Sequence, residues 1–274
     1  MSKLEGFYRE SKPKLLPDSV VRVYQEIVVD LERSSGIMVE DGCCEFMFVK
    51  HNGVLLRISG LPPIEVPKIF SIEKITKPYK FSFPGKIELF TIKLQPWVSH
   101  HFFPQNLLNC VSDLQNSYEG KINKLWGDLF ASTSFEEKVD FAEKFLLNIK
   151  MPERRDYSLP MKICEEIYRA NGMISVKALM EKFPGSRQKI NRDFTVSTKF
   201  SIKEFAILIK LREAIRFKHQ NPEESFTDIA LEFGYFDQSH FIKDIKRITS
   251  VTPGSLFSIP SLVKEQILDS PSRS

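Results

Sequence analysis

The sequence predicts an α+β chain of more than one domain. A β-rich N-terminal domain, barrel- or sandwich-like and with trailing helices, precedes an all-α domain of two helix-turn-helix units joined by a long helix. Three observations carry this. Over the first hundred residues, short runs of β-branched and aromatic residues alternate with turn residues. From Lys121 the apolar period becomes helical. Beyond Ser158 a pattern repeats at an offset of 50 to 51 residues. A length of 274 residues fits about two domains at roughly 150 residues each.

The strands come first. Val20–Val29, Cys43–Val49, Gly53–Ile58 and Ile87–Leu94 are rich in β-formers, and the last alternates Glu88/Phe90/Ile92/Leu94 against Ile87/Leu89/Thr91/Lys93. Asp41-Gly42, Asn52-Gly53, Pro62-Pro63, Pro67, Pro78 and Pro84-Gly85 punctuate them as turns. Phe46-Met47-Phe48 and the many other phenylalanines read as core. Phe135, Val139, Ala142, Phe145, Leu146 and Ile149 then form one helical stripe. The polar, proline-broken stretch Lys150–Tyr157 marks a boundary, so the division expected is 1–150, a linker at 151–157, a helical domain at 158–258 and a frayed tail at 259–274.

Composition narrows the function. With 42% hydrophobic and 27% charged residues the chain is ordinary globular protein. No apolar run approaches the roughly 18 residues of a membrane span, and Met1–Phe7 resembles no secretory leader, which predicts a cytoplasmic protein. Of the four cysteines, Cys43 and Cys44 are adjacent while Cys110 and Cys164 stand alone, so no metal or redox spacing exists; Cys43 reads as a small buried side chain. Among the five histidines (His51, His100, His101, His219, His240) only the pair His100-His101 could begin a metal site, and neighbours on an extended chain point to opposite faces. No nucleophile–base pair is visible. Neither metal, cofactor nor catalytic residue is expected, and the chain does not read as an enzyme.

Charge is unevenly placed. Residues 1–157 carry 21 basic and 21 acidic side chains, whereas residues 158–274 carry 18 and 14, so the whole net charge of +4 is C-terminal. Within Ser186–Gln220 nine basic residues face three acidic ones, a surplus that suits a polyanion and that a solvated helix face would also produce.

The repeat gives the surplus a setting. Leu179-Met180-x-x-Phe183-Pro184 matches Ile229-Ala230-x-x-Phe233-Gly234, and Ile190, Arg192, Asp193, Phe194 match Phe241, Lys243, Asp244, Ile245. In each copy a serine (Ser175, Ser225) sits at an N-cap position before a short helix, Val176–Lys182 or Phe226–Phe233. A turn at Pro184-Gly185 or Gly234-Tyr235 follows. Gly234 can take positive φ there, and Ala230 is small enough for close helix approach. A second helix then runs over Ser186–Thr195 or Asp237–Thr249, apolar on one side and polar, mostly basic, on the other. Ser201–His219 between the copies is apolar on more than one face, as a buried connecting helix would be.

The stretch Asp228–Phe257, with Ile229-Ala230, Gly234-Tyr235, Asp237-Gln238-Ser239-x-Phe241, Lys246-Arg247 and Thr252-Pro253 at fixed spacing, resembles the signature of AraC-family transcriptional regulators, and the likeness extends over Ser158–Phe257. Ile245 stands where the family usually has Phe, and Ser250 where it has Gly. In the first copy Met180, Pro184, Lys199 and Ile202 replace Ala, Gly, Gly and Pro. Glu40–Phe48, Phe83–Pro96 and Leu125-Trp126-Gly127 resemble a poorly characterised β-rich N-terminal domain found on some members.

The resemblance implies a sequence-specific DNA-binding transcription regulator whose two second helices enter successive major grooves roughly 34 Å apart. Base-reading positions fall on Gln188, Asn191 and Arg192 in the first copy and on Ser239, His240 and Lys243 in the second. Arg187, Lys189, Lys246 and Arg247 are cast as phosphate contacts. Double-stranded promoter DNA is the partner implied. RNA polymerase, a small-molecule effector of unassigned identity in the N-terminal domain and a second copy of the chain complete the set the family allows. Two rival readings stay open: a ligand-binding or catalytic β-domain with a degenerate helix-turn-helix appendage, and a protein-interaction module.

Overall fold

The computed structural model describes residues 5–30, 34–37, 41–50, 53–58, 60–72, 79–83, 85–103, 111–149, 156–249 and 252–257. Glu40, His51, Asn52, Pro78, Pro84, Cys110, residues 150–155, Ser250 and the tail from Ser258 lie outside the described residues. The N-terminal part is β-rich and the C-terminal part helical, as expected. Contacts divide the chain into two compact units: 1–36, 43–75 and 80–155 form the first; 37–42, 76–79 and 156–274 form the second. No described helix is long and apolar enough to cross a membrane.

The strands are β1 (Glu5–Ser11), β2 (Val21–Asp30), β3 (Ser34–Ile37), β4 (Cys44–Val49), β5 (Leu55–Ile58), β6 (Ile64–Glu65), β7 (Ile69–Ile72), β8 (Tyr79–Phe83), β9 (Ile87–Leu94) and β10 (Val111–Asp113). A six-stranded sheet has the order β1-β2-β9-β4-β7-β10 with every neighbour antiparallel, and a four-stranded sheet the order β3-β8-β5-β6. The four predicted strands are β2, β4, β5 and β9; the composition missed the others.

Register places Tyr24, Ile92, Phe46, Ser71 and Ser112 in one row across the larger sheet. Phe46 in that row packs on Phe102, Phe103, Tyr118 and Phe145, with ring centroids 4.8 to 6.1 Å away. The opposite face of β9 and β4 carries an ion pair, buried Lys93 Nζ to half-buried Glu45 Oε1 at 3.2 Å. Both faces of the central strands are therefore covered, and the simple alternation read in Ile87–Leu94 gives way to burial of every residue from Phe90 to Leu94.

The first unit also holds α1 (Ser99–Phe102), α2 (Lys121–Ala131) and α3 (Phe135–Asn148). His100 and His101 lie on α1 rather than on an extended chain, a correction to the strand-based argument, because the turn at Pro96–Val98 leads directly into helix. Ser134 caps α3 by accepting from the Glu137 amide, and Glu136 and Glu137 in the first turn suit the helix dipole. The apolar stripe of α3 is buried as read, except that the helix ends at Asn148 and Ile149 is already extended. Lys138 of α3 is buried and paired with Glu26 of β2, and Glu143 accepts from the Lys14 and Leu15 amides at 2.7 and 3.0 Å.

The second unit contains α4 (Ser158–Arg169), α5 (Val176–Met180), α6 (Arg187–Thr198), α7 (Ile202–Gln220), α8 (Phe226–Glu232), α9 (Gln238–Thr249) and α10 (Pro253–Phe257). Buried residues ring α7 on several faces, so it serves as a core post for both repeats. Its N-terminus has a full capping box between Ser201 and Glu204. On the first repeat's side, Phe205 of α7 meets Tyr168, Phe194 and Phe200 edge to face. On the second, Leu211, Ala214 and Ile215 join Ile229, Ala230, Phe233, Tyr235, Phe241, Ile245 and Leu256 in one cluster. Asp41, which belongs to this unit by its contacts, pairs with Arg212 of α7 at 3.2 Å, both buried.

Candidate nucleic-acid interface

Each repeat builds its second helix in the same way. Ser175 and Ser225 cap α5 and α8 by accepting from the Ala178 and Asp228 amides, both at 3.1 Å. The turn after α8 is a Schellman closure: Tyr235 N–H donates to Ala230 C=O and Gly234 N–H to Leu231 C=O, at 2.8 and 3.0 Å. Gly234 takes φ +63°, the conformation the sequence assigned to it. Ser186 and Asp237 then cap α6 and α9, accepting from the Lys189 and His240 amides at 3.3 and 2.7 Å. The caps fall at the repeat offset, so the two copies enter their second helices in equivalent positions. Both helices run somewhat differently from the expectation. The residues read as their first positions are caps, and α6 continues three residues past Thr195 to a left-handed stop at Lys199.

The faces sort cleanly. Ile190 and Phe194 seat α6, and Phe241 and Ile245 seat α9, all at 1% exposure or less. Outward from α6 lie Arg187, Gln188, Lys189 and Arg192, all exposed, with Asn191 half-buried. Outward from α9 lie Ser239, His240, Lys243, Lys246 and Arg247, all exposed. All ten sequence-assigned positions thus stand on accessible helix surface. They are not equally available. Arg192 Nε is 3.6 Å from its neighbour Asp193, a loose contact, whereas Arg247 donates from Nη2 and Nε to Asp244 Oδ1 at 2.9 and 3.2 Å.

Sequence reading missed the frame that aims α9. Lys210 of α7 sets its ammonium 3.7 Å from the centroid of the Tyr235 ring, and Tyr235 in turn meets Phe241 and His240 at 5.2 and 5.3 Å. Burial lowers the Lys210 ammonium below its ordinary value, with Asp244 opposing. Burial, reinforced by the Asp244 charge, raises the Tyr235 phenol. Gln238 is held to the preceding helix by Thr227, 3.1 Å away. Nothing in Lys210 alone distinguished it from the other cations of a basic helix. The signal lay in its partner, which is 25 residues on.

No group of three or more metal-ligating side chains occurs among the described residues. The described cysteines Cys43, Cys44 and Cys164 are buried, and Arg22 Nη1 donates to Cys43 Sγ at 3.0 Å. Cys43 is therefore buried as read, beside an arginine 21 residues away whose approach no local pattern announces.

A family model described as a helix-turn-helix domain matches residues 179–258. No curated relative matches the chain. Among solved structures, ToxT from Vibrio cholerae O395 is 12% identical, with 85% of this chain and 96% of that one covered and a TM-score of 0.48. Unsaturated fatty acid bound wild-type ToxT from Vibrio cholerae strain SCE256 is 14% identical, with 87% and 96% covered and a TM-score of 0.47. The AraC-like transcriptional activator CuxR is 8% identical, with 87% and 80% covered and a TM-score of 0.24. The Ser186, Ser225 and Asp237 caps, the Gly234 turn and the family match meet in the same residues: over 179–258 the chain carries a helix-turn-helix domain.

Proposed function

We propose that the protein is a sequence-specific, DNA-binding transcription regulator. One observation carries the reading: two equivalent helices, each with its apolar side fully buried and its polar, largely cationic side exposed, occur in one unit on one shared post. Gln188, Asn191 and Arg192, with Ser239, His240 and Lys243, read base edges, since Arg and Lys donate to guanine O6/N7 and Asn and Gln pair with adenine N6/N7. Residues 158–258, with Asp41 from the second unit's upstream segment, make the DNA-binding part. Residues 1–150, apart from the segment that carries Asp41, make the sensing and dimerisation part, which receives a small-molecule effector. The surface of the bound protein meets RNA polymerase.

Selection from a random duplex pool by the full-length protein, at about physiological salt, tests this. A motif spanning two successive major grooves is expected. Arg192→Ala and Lys243→Ala should each cost about 1–3 kcal/mol on the selected site and relax preference at one or two base pairs. Equal loss on all sequences would make these residues phosphate contacts. Failure to enrich any motif would favour the ligand-binding or interaction rivals.

Phosphate contacts are separable by salt. Arg187, Lys189 and Lys246 make no ion pair among the described residues, so each alanine variant should lower the slope of log affinity against log salt by about 1. Arg247, already neutralised by Asp244, should lower it by clearly less. Titrations between 50 and about 200 mM salt read the difference.

A further inference from the structure

Phe236 is 89% exposed, the most exposed of the large hydrophobic side chains described. Scattered apolar residues on a surface need no explanation, but this one has a specific local alternative that the structure removes. It sits directly before the Asp237 cap, where an apolar residue usually packs back onto the fourth helical position as a hydrophobic staple. That position is Phe241, which is fully buried and packs instead with Tyr235 at 5.2 Å and Phe226 at 6.5 Å. Tyr235 has taken the staple's place, and the Phe236 ring is left in water. The backbone on either side is fixed, by the Schellman closure through Tyr235 and by the Asp237 cap, so the ring is held at the entry of α9.

Resting on the DNA-binding reading above, we propose that Phe236 is a further specificity-determining residue, which contacts the 5-methyl group of a thymine beside the bases read by Ser239 and His240. The N-terminal residues of a helix-turn-helix second helix approach base edges. A phenyl ring has no donor, acceptor or charge to offer there. The one apolar group displayed in the major groove is the thymine methyl. Lys243 and Lys246, exposed on the helix that Phe236 leads into, supply the attraction to the polyanion that an isolated apolar residue lacks. The repeat supplies the contrast: the residue before the Ser186 cap in the first copy is Gly185, so the preference belongs to one half-site only.

The test uses the full-length protein and the selected duplex, with each thymine of the α9 half-site replaced singly by deoxyuridine, which removes only the methyl. Wild type is expected to lose about fourfold in affinity at one position, the value of one buried methyl. Phe236→Ala should bind the thymine site about tenfold more weakly and be indifferent to that replacement, while Phe236→Leu should keep part of the methyl effect. A melting temperature unchanged in Phe236→Ala, as exposure predicts, separates contact from folding. Three results overturn the proposal while leaving sequence-specific binding intact: no methyl effect in wild type, the same effect in Phe236→Ala, or a selected half-site without thymine. Absence of any selected motif overturns it together with the regulatory reading.

Discussion

Gly172→Ala is expected to lower the stability of the helical unit by about 2–5 kcal/mol, the sum of a left-handed backbone cost of about 1–2 and an overpacking cost of about 1–3. Gly172 closes α4 in a Schellman turn: its N–H donates to Ile167 C=O at 2.8 Å, while Asn171 N–H donates to Tyr168 C=O at 2.9 Å. Its φ is +74°, and a methyl there would collide with Ala206 O and Lys210 N and lie 2.8 Å from Lys210 Cα. Those two α7 atoms are the ends of one helical hydrogen bond, so the obstacle is backbone that cannot swing aside.

Gly234→Ala is the matched control. It shares the left-handed φ but has nothing within 4 Å of the added carbon, so only about 1–2 kcal/mol should be lost. Hydrogen exchange of α7 amides, which are protected until the unit opens, measures both. Equal losses in the two variants would mean that close approach to α7 contributes nothing.

Lys138→Ala should cost the β-rich unit about 3–5 kcal/mol, because it leaves Glu26 buried without its counter-charge. The pair Lys14–Asp140, 3.5 Å apart and half exposed at both ends, provides the comparison: Lys14→Ala should cost under about 1 kcal/mol. Removing both buried charges, as Glu26→Leu with Lys138→Leu, should recover much of the loss, since an apolar pair replaces an ion pair at little cost. The readout is clean. Both tryptophans belong to this unit, where Trp97 and Trp126 donate to Ser19 C=O and Val49 C=O at 2.8 and 2.9 Å, so fluorescence in urea follows it alone. A double variant as unstable as the single one would show that Lys138 acts through packing.

The helical half was legible because its signals are local. Caps lie three residues from the amides they satisfy, Gly234 announces its turn, and apolar spacing four apart identifies the seating faces of α6 and α9. The accessible polar faces of α6 and α9 were legible for the same reason, whereas the Lys210–Tyr235 contact behind α9 was not. The sheets were legible only where a strand is long. β10 has three residues and exists by pairing with β7, itself four residues after a proline-marked turn, and no composition records that partnership. Buried charge was also hidden. Lys138 and Glu26 are 112 positions apart, and each alone reads as surface. The exposure of Phe236 was hidden as well, since nothing in its neighbours' spacing separates it from the buried Tyr235 and Phe241 on either side.

The Asp41–Arg212 pair bears on how this protein can be dissected. A gene fragment starting at residue 156 would encode every helix of the DNA-binding unit, yet it would omit the carboxylate that faces Arg212 on the central post. The fragment would then lack the 3.2 Å ion pair that Asp41 makes with this buried guanidinium, and losing one partner of a buried pair is costly. Swapping this unit onto another sensor, or expressing it alone as a reporter, therefore calls for grafting residues 37–42 with it, or for replacing Arg212 by an apolar side chain. The inheritable module is a set of contacts and not a contiguous reading frame.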